Sequence, residues 1–171
     1  ATTAGLDLSG KAIDFTGVET VTLNSLGTGT GTNKVLITDT ALKSLVVTGG
    51  EAIALSSTGT TSLASVDASA NAKGVDFTLL TLKSGTTETG GAGADKLLAT
   101  GGLDSLTGGA GADTFFVTTA GSNVNVYSTI TDATKGDIIT LANKGTEMWT
   151  STKVTLGATA TFQDYANAVV N

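Results

Sequence analysis

GGAGADKLL (residues 90–98), ATGGLDSLT (99–107) and GGAGADTFF (108–116) stand end to end as three nine-residue units. Asp95, Asp104 and Asp113 fall in the sixth column, Leu97, Leu106 and Phe115 in the eighth, and Gly93, Gly102 and Gly111 in the fourth. Glycines let the backbone take conformations closed to other residues and turn carbonyl oxygens inward. Carbonyls and carboxylates together are the hard oxygen ligands that calcium takes in sets of six to eight. The last residues of each unit have strand character, with one large apolar side chain aimed at a core. Each unit thus reads as a loop plus a short strand, half of a turn. With two units per turn, every second loop stacks on the same edge, which brings Asp95 and Asp113 together. A glycine–aspartate turn array without metal is the competing reading.

Upstream, strand-length runs alternate with Gly, Ser, Thr and Asn: 18–24, 34–39, 42–48, 52–57, 63–69 and 74–80. Counting every second run, Val21, Leu45 and Val66 recur at intervals of 24 and 21, and the interleaved Leu36, Ala54 and Phe77 at 18 and 23. A period of roughly 20 residues with two strands per turn predicts a solenoid. Four tetrads share an aliphatic–Asp–apolar–hydroxyl pattern, at Leu6–Ser9, Ile13–Thr16, Val66–Ser69 and Val75–Thr78. Simple strand composition explains them equally well. Downstream, 124–130, 137–141 and 153–156 are strand-like. Residues 161–170 predict a short helix with Phe162, Tyr165, Ala166 and Val169 on one face, read as a cap over the core. The fold expected is all-β, a parallel β-solenoid or β-roll with a small C-terminal capping segment. It divides by texture into an irregular solenoid (1–89), the nonapeptide roll (90–116) and a continuation with cap (117–171), all one continuous domain.

Composition narrows the function. The chain of 171 residues has 23 Gly, no Pro, no Cys and no His, with 14% charged and 40% hydrophobic residues. Low charge with ample aliphatic content argues against disorder. A formal net charge of −6 disfavours nucleic acid as a partner and suits cations. Without Cys there are neither disulfides nor soft-metal sites. No apolar run reaches the ~20 residues of a membrane span. The start at Ala1-Thr2-Thr3 reads as an excised piece of a longer protein.

The nonapeptide block, with the segment Ile130–Leu141 after it, resembles proteins of the RTX (repeats-in-toxin) type. The resemblance implies calcium as the cofactor. It implies an ion between Asp95 and Asp113, completed by the carbonyls of Gly90, Ala92, Gly109 and Gly111. At Asp104 the stacking partners one turn away are Thr86 and Ser122, so a second carboxylate is missing and an ion there is weak or absent. In RTX proteins the acidic residues of the following segment cap the last calcium loop. Here they are Asp132 and Asp137, with Asp132 one place out of register and a solvated loop an equal alternative for both.

The Thr-, Ala- and Gly-rich solenoid, with the strand opener Gly17-Val18-Glu19-Thr20-Val21-Thr22-Leu23, is similar to bacterial surface-layer proteins of the Caulobacter and Campylobacter kind. This implies type I secretion, an extracellular place on the cell surface, self-association into a lattice, and cell-surface polysaccharide as a further partner. It implies no enzymatic activity. An RTX accessory domain of a secreted enzyme, such as a serralysin-like protease or an alginate epimerase, is the alternative. The absence of His excludes a zinc-protease motif or a Ser-His-Asp triad within these residues. A third reading is a calcium-dependent adhesin or ice-binding solenoid. That one needs Thr rows in register, whereas the clearest alternation, Thr28–Thr32, lies in a glycine-rich loop.

Overall fold

The computed structural model describes residues 5–27, 30–118 and 128–141. Thirteen strands follow one another: β1 (Asp7–Asp14), β2 (Thr20–Ser25), β3 (Asn33–Thr38), β4 (Ser44–Gly49), β5 (Ile53–Thr58), β6 (Ser65–Asn71), β7 (Val75–Leu79), β8 (Thr87–Thr89), β9 (Lys96–Ala99), β10 (Ser105–Thr107), β11 (Thr114–Val117), β12 (Thr129–Ile130) and β13 (Ile138–Leu141). Odd-numbered strands form a seven-stranded parallel sheet in the order β1-β3-β5-β7-β9-β11-β13, and even-numbered strands a six-stranded parallel sheet from β2 to β12. The chain therefore winds as an all-β solenoid, one odd and one even strand to each turn, with the core between the two sheets. Among the described residues no helix is long and apolar enough to cross a membrane. The expected C-terminal helix, the run at 153–156 and most of that at 124–130 lie outside the described residues.

Alternation along the strands explains the packing, because successive side chains of a strand face opposite ways. On the even sheet Val21, Leu45 and Val66 are paired register neighbours, as their spacing predicts, and all three are buried. On the odd sheet the spacing finds the inward Phe77 but the wrong face for Leu36 and Ala54. Leu36 pairs with Ser56 and Ala54 with Asp76, and both point away from the core. The buried side chains of that sheet include Val35, Ile37, Ile53, Leu55, Val75, Phe77, Leu97 and Phe115. Run centres mark where a strand lies but not which parity faces inward.

The tetrads prove to be a local device. In each, the aspartate Oδ1 accepts the N–H two residues on: Ser9, Thr16, Ser69 and Thr78, at 2.9–3.0 Å. Three hydroxyls also donate to that oxygen. The register of three strands slips just past Leu8, Asp67 and Asp76. A side chain that takes a nearby N–H competes with the sheet for it, and the strand bulges there.

The outer faces of the two sheets differ. The odd face carries the ion pairs Lys34–Asp7 and Lys96–Asp76. The even face is dominated by hydroxyls. Thr20, Ser44, Ser65, Thr87, Ser105 and Thr129 form one unbroken row in register, each exposed or half-exposed. A second row runs Thr22, Val46, Asp67, Thr89 and Thr107, and Thr131 extends it through a hydroxyl contact of 2.8 Å to Thr107. Asp67 is the one charged side chain that these even strands present outward.

Candidate metal centre

Each nonapeptide strand buries its large apolar residue: Leu97, Leu106 and Phe115 are 0% exposed. Lys96 pairs with Thr114, so one turn is made of two units. The loops before β9 and β11, residues 90–95 and 108–113, therefore stack on one edge. Backbone approaches backbone there without room for side chains. A methyl group on Gly111, whose φ is 135°, would collide with the carbonyl of Gly93, and one on Gly108 with Asp113 Oδ2. Each aspartate folds back over the first glycine of its own loop, and this fixes the carboxylate at the inner rim.

On this edge the carboxylates form a column. Asp95 Oδ1 accepts the N–H of Val75 at 2.8 Å, Asp113 Oδ1 that of Asp95 at 2.9 Å, and Asp137 Oδ1 that of Asp113 at 2.9 Å. Asp95 Oδ2 also accepts from Gly91 at 2.6 Å. Asp137 is thus the successor of Asp113, one turn on. Asp132 stands where the next turn would carry the first glycine, and its two oxygens accept the N–H groups of Gly108 and Gly109 at 2.8 Å. The loop Asp132-Ala-Thr-Lys-Gly-Asp137 closes the stack on the last glycine-rich loop.

Asp104 is the one repeat aspartate on the opposite edge. Its Oδ1 accepts from Gly85 and Thr86, and its Oδ2 from Thr100, all at 2.9 Å. The residue one turn on is Ser128, not Ser122, which lies outside the described residues. Ser105 pairs with Thr129, and Ser128 Oγ donates to Asp104 Oδ2 at 3.1 Å. This turn is longer than its two-unit neighbour, because the connection from β11 to β12 exceeds that from β9 to β10. Counting strictly in nines conceals the difference. The hydroxyl-rich Ser128-Thr129-Ile130-Thr131, which echoes Asp104-Ser105-Leu106-Thr107, is the sequence signal that marks the true partner.

Asp95, Asp104 and Asp113 are no more than 2% exposed. Among the described residues no lysine pairs with them or with Asp132 or Asp137. Burial pushes the Asp95 carboxyl up to about 6; the Val75 and Gly91 amides oppose this, and the Asp113 charge adds to it. Asp113 is raised by burial, against the pull of the Asp95 amide and with repulsion from Asp137 and Asp132. Asp137 is lowered, by the Thr134 and Asp113 amides. Stacked carboxylates without a countercharge call for a cation.

The donor set fits calcium. The chain has no His or Cys to offer nitrogen or sulfur. No three carboxylates converge among the described residues, so an ion here must draw most of its oxygens from carbonyls. Those of Gly90, Ala92, Gly109 and Gly111 accept no hydrogen bond from the described residues. Such a carbonyl-rich set suits a large hard cation with a high coordination number.

No curated protein and no solved structure matches the chain. The family model of the RTX calcium-binding nonapeptide repeat (4 copies) matches residues 89–118, so the stacked loops and short strands of this segment are calcium-binding RTX repeats.

Proposed function

We propose that the chain is a structural, non-enzymatic module of a secreted RTX-type protein, folded by calcium outside the cell and assembled into a bacterial surface layer. The Asp95–Asp113–Asp137 column, whose first two carboxylates are buried and which meets no cationic side chain among the described residues, carries the calcium part of this reading. Asp95 and Asp113 with the carbonyls of Gly90, Ala92, Gly109 and Gly111 are its proposed ligands. Asp132 and Asp137 close the last loop, and Asp104 serves the opposite edge. Low cytosolic calcium leaves such repeats unfolded and exportable. Extracellular modules bind calcium at about 0.1–1 mM, and at ten times that dissociation constant each site adds roughly 1.4 kcal/mol. The lattice part rests on the Cys-free, Thr-rich composition and its likeness to surface-layer proteins, with self-association and a polysaccharide anchor as the partners.

Calcium titration of EDTA-treated protein, followed by far-ultraviolet circular dichroism and calorimetry, tests the first part. A cooperative gain of β structure in the submillimolar to millimolar range, lost in Asp95→Ala/Asp113→Ala, is the expected result. A fold indifferent to calcium would overturn it. Electron microscopy of the protein in calcium tests the second part, through ordered sheets or their absence.

The two hydroxyl rows on the even sheet favour one further reading, an ice-binding or adhesive solenoid. Their rungs repeat at about 4.8 Å across strands and about 6.6 Å along them, a regular, nearly uncharged, aromatic-free array. Ice-crystal shaping abolished by Thr89→Lys/Thr107→Lys, with calcium response intact, would favour it over the lattice. Unshaped ice crystals would remove it.

A further inference from the structure

Two buried side-chain oxygens among the described residues have no hydrogen-bond partner, Glu88 Oε1 and Thr100 Oγ1. Both belong to the Asp104 edge. Thr100 gives its N–H to Asp104 Oδ2, Asp104 Oδ1 accepts the N–H of Thr86, two residues before Glu88, and Glu88 pairs with Leu106, two residues after Asp104. We propose that Glu88 is a calcium ligand, supplying through Oε1 the second carboxylate of a site shared with Asp104 and the Thr100 hydroxyl. The inference rests on the calcium reading above and extends it to the opposite edge.

Glu88 occupies an unusual place for an acid. It stands in the inward column Val21–Leu45–Val66–Glu88–Leu106 of the even sheet, where its register neighbours are aliphatic, and it is 0% exposed. Residues 81–89, Thr-Leu-Lys-Ser-Gly-Thr-Thr-Glu-Thr, precede the first intact repeat and fill one nine-residue unit. Its sixth position, where the repeat has Asp, is Thr86. Its eighth, where the repeat has a large apolar residue, is Glu88. The carboxylate missing from the turn above Asp104 has moved two residues along the chain and into the core.

One oxygen of Glu88 has a structural task. Strand β7 pairs with β9 only at Asp76–Lys96, then turns away as Phe77 O accepts Leu80 N–H. Leu98 keeps Phe116 of β11 as a neighbour but has no partner on the β7 side, and Glu88 Oε2 accepts its N–H at 2.9 Å. That task needs a single acceptor. Oε1 remains, and protonation would not help it, since a buried O–H without an acceptor is as costly as a buried oxygen without a donor. Burial holds the carboxyl up at about 8, opposed by the Leu98 amide and reinforced by Asp104. A divalent cation would satisfy Oε1, the Thr100 hydroxyl and the Asp104 charge together.

Native mass spectrometry and equilibrium dialysis with calcium count the ions bound by the whole chain, in the wild type and in Glu88→Leu, Glu88→Gln and Asp104→Ala. Each variant is expected to bind one ion fewer than wild type, and Glu88→Leu/Asp104→Ala no fewer than either single change. Glu88→Leu should melt higher than wild type in EDTA, because a buried acid is gone, yet gain less on adding calcium. An unchanged ion count in Glu88→Gln, which keeps size and an acceptor for Leu98, would overturn the proposal. So would a Glu88→Leu chain that is stabilised equally with and without calcium. A wild type that binds no calcium would sink the parent reading instead, whereas one that does, alongside unaltered Glu88 variants, would sink this proposal alone.

Discussion

A carboxylate buried next to another, with no lysine between them, works against its own fold whenever it is ionised. Asp95, held up at about 6, and Glu88, held up at about 8, both bind protons more tightly in the folded chain than in the unfolded one. Their contribution is fully present below the unfolded carboxyl range and is lost as pH rises through those two values. Asp7, pulled down to about 2 by the Ser9 hydroxyl and amide and by Lys34, behaves oppositely and adds stability that is lost only in strong acid. In EDTA the melting temperature should therefore be highest near pH 4–5 and fall towards pH 8. Calcium needs the ionised carboxylates, so its stabilisation should grow over the same interval. Melts across pH 4–8, in EDTA and in calcium, check this; a melting temperature in EDTA that climbs from pH 5 to pH 8 would contradict it. At this scale the sequence is legible for Asp95 and Asp113, whose separation is two units of nine. Glu88 is not, since an acid at an apolar position reveals its burial only once the strands are in register. Nor is the succession from Asp113 to Asp137, which the longer connection between β11 and β12 displaces.

The loops and strands of the repeat block share the work unequally. Phe115 and Leu97 fill the core as any solenoid strand would, while the loops hold their shape through glycine. Gly111→Ala forces a side chain into both a left-handed backbone and the Gly93 carbonyl. It should cost about 1–3 kcal/mol and also weaken calcium binding, because the same loop carries the proposed ligands. Phe115→Ala, with its buried ring, should cost about 3–5 kcal/mol while leaving calcium affinity in the folded chain largely unaltered. Paired denaturant and calcium titrations separate the two; equal losses of affinity would show that loop and core are not independent. Strand positions are readable because Val, Leu and Thr runs lie between Gly and Asn turns. The inward parity of β3 and β5 is not, since both Val35 and Leu36, or Ile53 and Ala54, look equally apolar in one dimension. The tetrads are readable as a pattern but not as bulges, because a bulge is a relation between two strands.

At the scale of the whole molecule, every rung among the described residues joins a strand to the strand one turn away, and none of these joins distant parts of the chain. Stability in such a stack passes from neighbour to neighbour. The aliphatic turns from β1 to β7 should depend on the calcium-held turns through their shared boundary at Val75 and Asp95, the point where an amide of one region meets a carboxylate of the other. The period of the solenoid is legible from spacing alone; the contrast between its charged and hydroxyl faces is not, because it emerges only when six strands line up.

That same arrangement makes the molecule a ruler under load. Pulled by its two ends, a stack of parallel turns cannot shear all its rungs at once and must peel one turn after another. Each turn released should lengthen the chain by on the order of 60–90 Å, at about 3.3–3.6 Å for each residue. Single-molecule extension would show this as a sawtooth, with the teeth of the calcium-held turns higher than the rest and lowered to the common level by EDTA. A surface-layer module of the kind proposed would in this way yield by small steps, and the calcium around it would set where the yielding stops.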